Sequence, residues 1–129
     1  MANEGADVIV VGAGNAAFCA ALAAREEGAS VLVLEAAPED ESGGNSRFTA
    51  GSIRVVYNGV DDIKTLVPDL TPAEIETTDF GTYTADQFYD DMARITQNRA
   101  DPDLVELLVT KSFGSLNWMR QKGVRLIPI

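Results

Sequence analysis

The sequence predicts an α/β chain: a βαβ unit with a partly open parallel sheet, followed by additional helices. Three observations predict it. Val8–Val11 and Val31–Leu34 are short, continuous runs of Val, Ile and Leu, the pattern of parallel strands buried on both faces. An alanine-rich stretch between them starts after a glycine turn and closes at Gly28, a residue suited to a left-handed helix end. Beyond residue 57 the chain carries one helix-start signature after another.

In chain order, Val8–Val11 is the first strand, Gly12–Asn15 a turn, Ala16–Glu27 a helix and Val31–Leu34 the second strand, ending at Glu35. A parallel pair joined this way takes a right-handed crossover. "APEDESGGNSRFTAGS" is a loop dense in Gly, Ser and Asn, and Ile53–Tyr57 is a strand candidate that ends at the turn dipeptide Asn58-Gly59. "TPAE" at Thr71 and "TADQ" at Thr84 are capping boxes, each pairing a threonine with Glu or Gln three residues on. The second opens a helix with Phe88, Met92 and Ile95 on one stripe. "DPDL" at Asp101 opens a third helix carrying Leu104, Leu107 and Leu108; Leu116–Arg120 continues it and Gly123 ends it. "VRLIPI" at the end reads as an entering strand. The expected division is residues 1–57, holding the βαβ unit and the Gly-rich loop, and 58–129, a helical extension.

Composition excludes several function classes. The 129 residues carry a formal charge of −10, which repels phosphate backbones and anionic lipid, so no nucleic-acid partner is expected. From Glu35 to Glu106 there are 16 acidic and five basic side chains; after Glu106 there are four basic side chains and no acidic one. This pattern reads as a solvated acidic middle and a last helix that faces something acidic. With no histidine, His triads, His-ligated metals and imidazole acid–base chemistry are excluded from this chain. Cys19 is the lone cysteine, so no internal disulfide forms, and its alanine-rich helix suggests a packing role. No apolar run reaches membrane-spanning length and the start "MANEGAD" is no signal peptide, so no membrane insertion and a cytoplasmic location are expected.

Gly12, Gly14 and Ala17 spell G-x-G-x-x-A between the first strand and the helix. The first glycine permits the tight turn, and the second leaves room for a pyrophosphate where a Cβ would stand. The small third residue allows close helix–strand packing. The helix start then offers unpaired N–H groups and a partial positive charge. Glu35, at the end of the second strand, is placed to accept hydrogen bonds from ribose hydroxyls and to repel a 2′-phosphate. The unit is therefore Rossmann-like and dinucleotide-binding, but this turn serves NAD and FAD alike. The second loop, "GGNSRFTAGS", favours FAD, whose pyrophosphate and ribityl chain need further donors and close backbone; a plain surface loop is the alternative.

"DVIVVGAGNAAFCAALAAREEGASVLVLEAAPE", "GGNSRFTAG" and "DFGTYTADQFYDDMARITQNRADPDLVELLV" together resemble the amino-terminal part of the FAD-dependent tricarballylate dehydrogenase family. That family lies in the fumarate reductase/succinate dehydrogenase flavoprotein superfamily. The resemblance runs nearly end to end along this chain but covers only the leading part of the family's usual length, so the fold is expected to be incomplete relative to the family. It implies that Gly12, Gly14, Asn15 and Ala16 form the pyrophosphate loop. Glu35 would be the ribose acid, with Ala36 beside it among the cofactor-binding positions, and Gly44, Asn45, Ser46 and Thr49 would lie in the second flavin loop. Ala50 and Gly51 would pass near the isoalloxazine, although Gly51-Ser52 stands where many superfamily members carry a glycine pair.

The implied reaction is oxidation of a small polycarboxylate, tricarballylate to cis-aconitate, with a membrane-bound electron-transfer partner. The implied catalytic residues lie outside these 129 positions, so no catalytic residue is nominated and the chain alone is expected to be inactive. Arg47 and Arg54 are the arginines near the flavin loop; Arg47 either reaches a phosphate or is simply solvated. Two other readings remain open at this point: an NAD-binding module or subunit without catalysis of its own, and a flavin oxygenase-type relative in cobalamin synthesis.

Overall fold

A computed structural model describes residues 5–128. The chain divides into two compact units after Ile53. In the first unit, strands β1 (Val8–Val11) and β2 (Val31–Leu34) pair in parallel, from Val8 opposite Val31 to Val11 opposite Leu34, with helix α1 (Asn15–Glu26) between them in sequence. The ladder continues past both strand ends. Val8 donates to the Ser30 carbonyl at 3.1 Å and Gly12 to the Leu34 carbonyl at 2.6 Å. Asp7 ties the entry of the two strands together: its carboxylate accepts from the Ser30 amide at 2.8 Å and the Ser30 hydroxyl at 2.6 Å.

Helix α1 starts at Asn15, one residue earlier than the sequence suggests, and ends at Glu26 ahead of Gly28, which has φ +87°. Its least exposed positions include Ala17, Ala21 and Ala24, one face at i, i+4 and i+7 spacing. Small side chains there let the helix approach the strands closely. Cys19 is half-buried on the same helix.

One expectation fails in this unit. Val8, Val10, Val31 and Val33 are half-buried, but Ile9, Val11, Leu32 and Leu34 are exposed, so the sheet is covered on one face only. The period-2 alternation of strand side chains explains the split, since a single helix covers a single face. A continuous apolar run reads the same whether or not the second layer is present.

The second unit contains strands β3 (Tyr57–Asn58) and β4 (Thr82–Tyr83), which pair antiparallel, and helices α2 (Val60–Leu66), α3 (Pro72–Thr77), α4 (Ala85–Thr96) and α5 (Pro102–Gln121). The strand expected at Ile53–Tyr57 shrinks to its last residue. Val55 is buried in the core, and the Val56 amide donates to the Ser112 hydroxyl at 3.1 Å instead of to a neighbouring strand. Helix α2 escapes the sequence reading altogether. It starts straight after Gly59, whose φ of +84° turns the chain, and the Asp62 carboxylate accepts the Asn58 amide at 2.7 Å.

The signalled helix starts form as their residues dictate. Thr71 and Glu74 make a complete capping box on α3, Thr84 and Gln87 another on α4, and Asp101 caps α5 through the amides of Asp103 and Leu104. α5 is one continuous helix of 20 residues. Leu116 packs with Val55, Leu66 and Val67 as the core, and Tyr57, Ile63, Leu70, Phe113, Met119 and Leu126 close around it. Leu104, Leu107 and Leu108 remain exposed on the first turns of α5. Residues 124–128 of "VRLIPI" form no strand, and Ile129 lies outside the described residues. Leu126 packs on the core and Arg125 pairs with Asp69 at 2.8 Å, so side chains rather than a ladder hold this segment.

Candidate cofactor site

The site lies in the first unit, where β1 runs into α1. Gly12 adopts φ +107°, a region that side-chain-bearing residues avoid, so the turn depends on glycine here. Gly14 then takes the N-cap position with no side-chain oxygen to satisfy the first amides of α1. Such a helix start leaves N–H groups and the positive end of the helix dipole to an anion.

The second loop folds onto that helix start. Gly43–Gly44 turns it through φ +111° and +54°, and residues 44–48 form a short 3-10 turn. The Asn15 amide donates to the Ser46 hydroxyl oxygen at 3.0 Å. A Cβ on Gly14 would stand 3.4 Å from the Gly43 carbonyl oxygen and 3.7 Å from Ser46 Oγ, and one on Gly44 would stand 3.9 Å from Gly14 Cα. The two glycine-rich segments therefore lie backbone to backbone, a narrow cradle that side chains would fill.

Glu35 closes the other side. Its carboxylate accepts the Ala13 amide at 2.7 Å and the Ala37 amide at 2.8 Å. Those two bonds, the Ala37 one first, hold its carboxyl below the ordinary glutamate range, so it is an anion at neutral pH. Each oxygen accepts one amide this way and keeps acceptor capacity for a hydroxyl donor.

Gly12, Gly14, Asn15, Gly44, Ser46 and Glu35 thus gather around one end of β1 and α1. Ala16 is exposed on the first turn of α1, and Ala36 follows Glu35 with its side chain exposed. Asn45 is exposed. Thr49 bonds within its own loop, its hydroxyl donating to the Ser46 carbonyl at 3.0 Å. Ala50 and Gly51, with φ +53° and +75°, form an exposed left-handed corner beyond that cradle. Arg47 donates to the Asp40 carbonyl and so braces the loop. Ala13, Ala37 and Gly43 take part through backbone atoms alone. The double glycine was the available signal for Gly43; nothing in residue type marks the other two.

These residues fit the ADP portion of a dinucleotide: uncapped amides, a backbone approach without Cβ atoms, and an anionic ribose acceptor. Among the described residues no group of His, Cys, Asp and Glu is arranged to hold a metal, and no helix is long and apolar enough to cross a membrane.

Comparison with known proteins adds the cofactor. The family described as FAD binding domain matches residues 7–128. Fumarate reductase (cytochrome) from Shewanella frigidimarina is 29% identical over 127 residues, covering 98% of this chain and 19% of that protein. Vinyl phenol reductase from Lactiplantibacillus plantarum is 31% identical over 130 residues, covering 95% of this chain and 25% of that protein. Urocanate reductase from Eggerthella lenta is 28% identical over 123 residues, covering 91% and 16%. The chain thus spans a quarter or less of the length of these relatives. The match selects FAD over NAD, a choice the first glycine turn left open.

Proposed function

The chain belongs to the FAD binding domain family, and from that premise we propose that it is the FAD-holding, amino-terminal part of a flavin-dependent oxidoreductase acting on a small polycarboxylate. The observation that carries the reading is the docking of the second loop on the first, Ser46 on the Asn15 amide with Gly14 against Gly43. A lone dinucleotide turn has no use for a second glycine-rich segment at the same helix end.

In this reading the amides of α1 and the backbone at Gly14 and Gly44 hold the pyrophosphate, and Glu35 grips the adenosine ribose. Bound FAD supplies hydride transfer. The substrate we propose is tricarballylate, which loses a proton from one carbon and a hydride from its neighbour to give cis-aconitate. The chain's likeness to a fumarate reductase and a urocanate reductase supports an unsaturated acid as one member of the pair. A membrane-bound acceptor for the electrons belongs to the same proposal. The chain itself contributes cofactor binding and orientation, and by itself is expected to hold FAD without turnover.

The test is a titration of the purified chain with FAD and, separately, with NAD, followed by flavin absorbance and fluorescence. Saturable FAD binding, lost when Gly14 carries a side chain, supports the proposal. NAD binding without FAD binding overturns it in favour of a nicotinamide module. For the reaction, the family-length protein is assayed with tricarballylate and an artificial electron acceptor. Reduction of fumarate without oxidation of tricarballylate would reassign the substrate, and substrate-dependent oxygen consumption would favour an oxygenase.

A further inference from the structure

We infer that Arg54 is a carboxylate-binding residue, held in place by Asp91 and Tyr83; the inference rests on the polycarboxylate reading above and names a residue that would recognise that substrate. Arg54 opens the second unit, three residues beyond Gly51. Three residues of extended chain span at most about 10 Å, which bounds the separation of the Gly51 and Arg54 Cα atoms.

Its orientation is fixed from one edge only. Nη1 donates to the Tyr83 hydroxyl at 2.9 Å and to the Asp91 carboxylate, and the guanidinium carbon lies 5.2 Å from the centre of the Tyr83 ring. Tyr83 is itself braced: its hydroxyl donates to Asp91 at 2.7 Å and its ring lies 5.5 Å from that of Phe88, which is buried. The Nε and Nη2 edge makes no hydrogen bond among the described residues, and the Arg54 side chain is 53% exposed. That edge is the two-donor fork whose spacing matches a carboxylate.

Asp91 is shared, since its other oxygen accepts from Arg94 at 2.6 Å. Two guanidinium groups thus share one carboxylate, so Asp91 does not serve Arg54 alone.

The test uses the whole chain, labelled with nitrogen-15, and follows the Arg54 Nε–H resonance during titration with tricarballylate. Propane-1,2,3-tricarboxamide, its uncharged analogue, serves as the control. The expected result is a saturable shift of Arg54 Nε–H with tricarballylate and none with the triamide. The variant Arg54→Gln should weaken binding at least tenfold, read from the remaining backbone shifts. Arg54→Lys should restore part of it, and Arg94→Gln should weaken it less than Arg54→Gln does. A flat Arg54 resonance, equal shifts with the triamide, or unchanged binding in Arg54→Gln would overturn the assignment. FAD titration on the same samples separates the two claims. A chain that holds FAD while Arg54 stays silent loses only this inference, and one that fails to hold FAD loses the reading beneath it.

Discussion

The amide of Asn15 and the hydroxyl of Ser46, 31 residues apart in sequence, meet at 3.0 Å at the start of α1. This one bond joins the two glycine-rich segments and occupies the first helical amide with a neutral oxygen. A hydroxyl is a weaker partner for that amide than an anionic phosphate oxygen. The bond therefore organises the cradle while leaving the neighbouring amides of Ala16 and Ala17 without a side-chain cap, open to the proposed cofactor contact.

Ser46→Ala should then loosen the second loop without unfolding the unit. The amide it abandons is solvent-accessible, so water takes over, and the loss sits at the low end of about 0.5–1.5 kcal/mol for a hydrogen bond. FAD affinity should fall severalfold, and Ser46→Thr should recover most of it because the hydroxyl returns. Fluorescence titration of the three proteins checks this; equal affinities would mean the hydroxyl contributes nothing to the site.

Gly12 and Gly14 make a sharper pair, because their substitutions are expected to fail for different reasons. Gly12 has φ +107° with open space around the missing Cβ, so Gly12→Ala strains the backbone and should destabilise the unit by about 1–2 kcal/mol. Gly14 has φ −82°, ordinary for any residue, and a Cβ there reaches the Gly43 carbonyl at 3.4 Å, a tolerable contact. Gly14→Ala should therefore fold with nearly unchanged stability and lose FAD affinity tenfold or more, since the methyl stands in the pyrophosphate's approach. Thermal melts beside FAD titrations separate the two. A Gly14→Ala chain that keeps full affinity would remove Gly14 from the site.

The contrast between the units shows what residue patterns can and cannot convey. The βαβ unit was legible because three local signals agree: β-branched runs, glycines at fixed spacing, and an acid at the second strand's end. The capped starts of α3, α4 and α5 were legible for the same reason, as each signature lies within four residues of the helix it opens. Helix α2 was not, because "VDDIKTL" is short and follows an Asn-Gly pair that reads as a plain turn. Ile53–Val56 misled in the opposite direction. Its residues have strand propensity, but a strand needs a partner, and Ser112 takes the Val56 amide instead. Around the β1–α1 turn, residue type singles out Gly14 and Glu35 as candidates, whereas Ala13 and Ala37 meet Glu35 through backbone atoms that any residue would supply. Residue type also left Arg54 merely near the loop; only the fold put Tyr83 and Asp91 against it.

Acid should unlatch the first unit. Asp7 is held below its ordinary value, chiefly by the Ser30 hydroxyl and then by the Ser30 amide, and Glu35 by the amides of Ala37 and Ala13. A carboxyl with a depressed folded value contributes stability above its unfolded value, and that contribution is lost as pH falls through the folded one. With unfolded values of about 3.9 for Asp and 4.3 for Glu, the contribution is intact at neutral pH and drains away below about pH 4. Melting temperatures measured between pH 7 and pH 2.5 should show this acid limb. Asp7→Asn and Glu35→Gln should each flatten it, and a variant whose acid limb matched the parent's would show that its carboxylate is not linked to folding.

The second unit should respond to its helix caps rather than to the cofactor. Thr84 accepts the Gln87 amide at 3.2 Å while the Gln87 side chain accepts the Thr84 amide at 2.8 Å, so the box satisfies two donors reciprocally. Thr84→Ala removes the first of these and is expected to cost about 1 kcal/mol. Thr84→Ser keeps the oxygen and should cost only a fraction of that. Because Thr84 immediately follows Tyr83, the same substitution bears on the Arg54 cluster: fraying the first turn of α4 loosens Phe88 and with it the ring that braces Tyr83. Denaturant melts should therefore show the stability loss in Thr84→Ala with FAD affinity unchanged, while the Arg54 Nε–H resonance broadens. A loss of FAD affinity equal to that of Gly14→Ala would mean that the first unit's site depends on α4 as well.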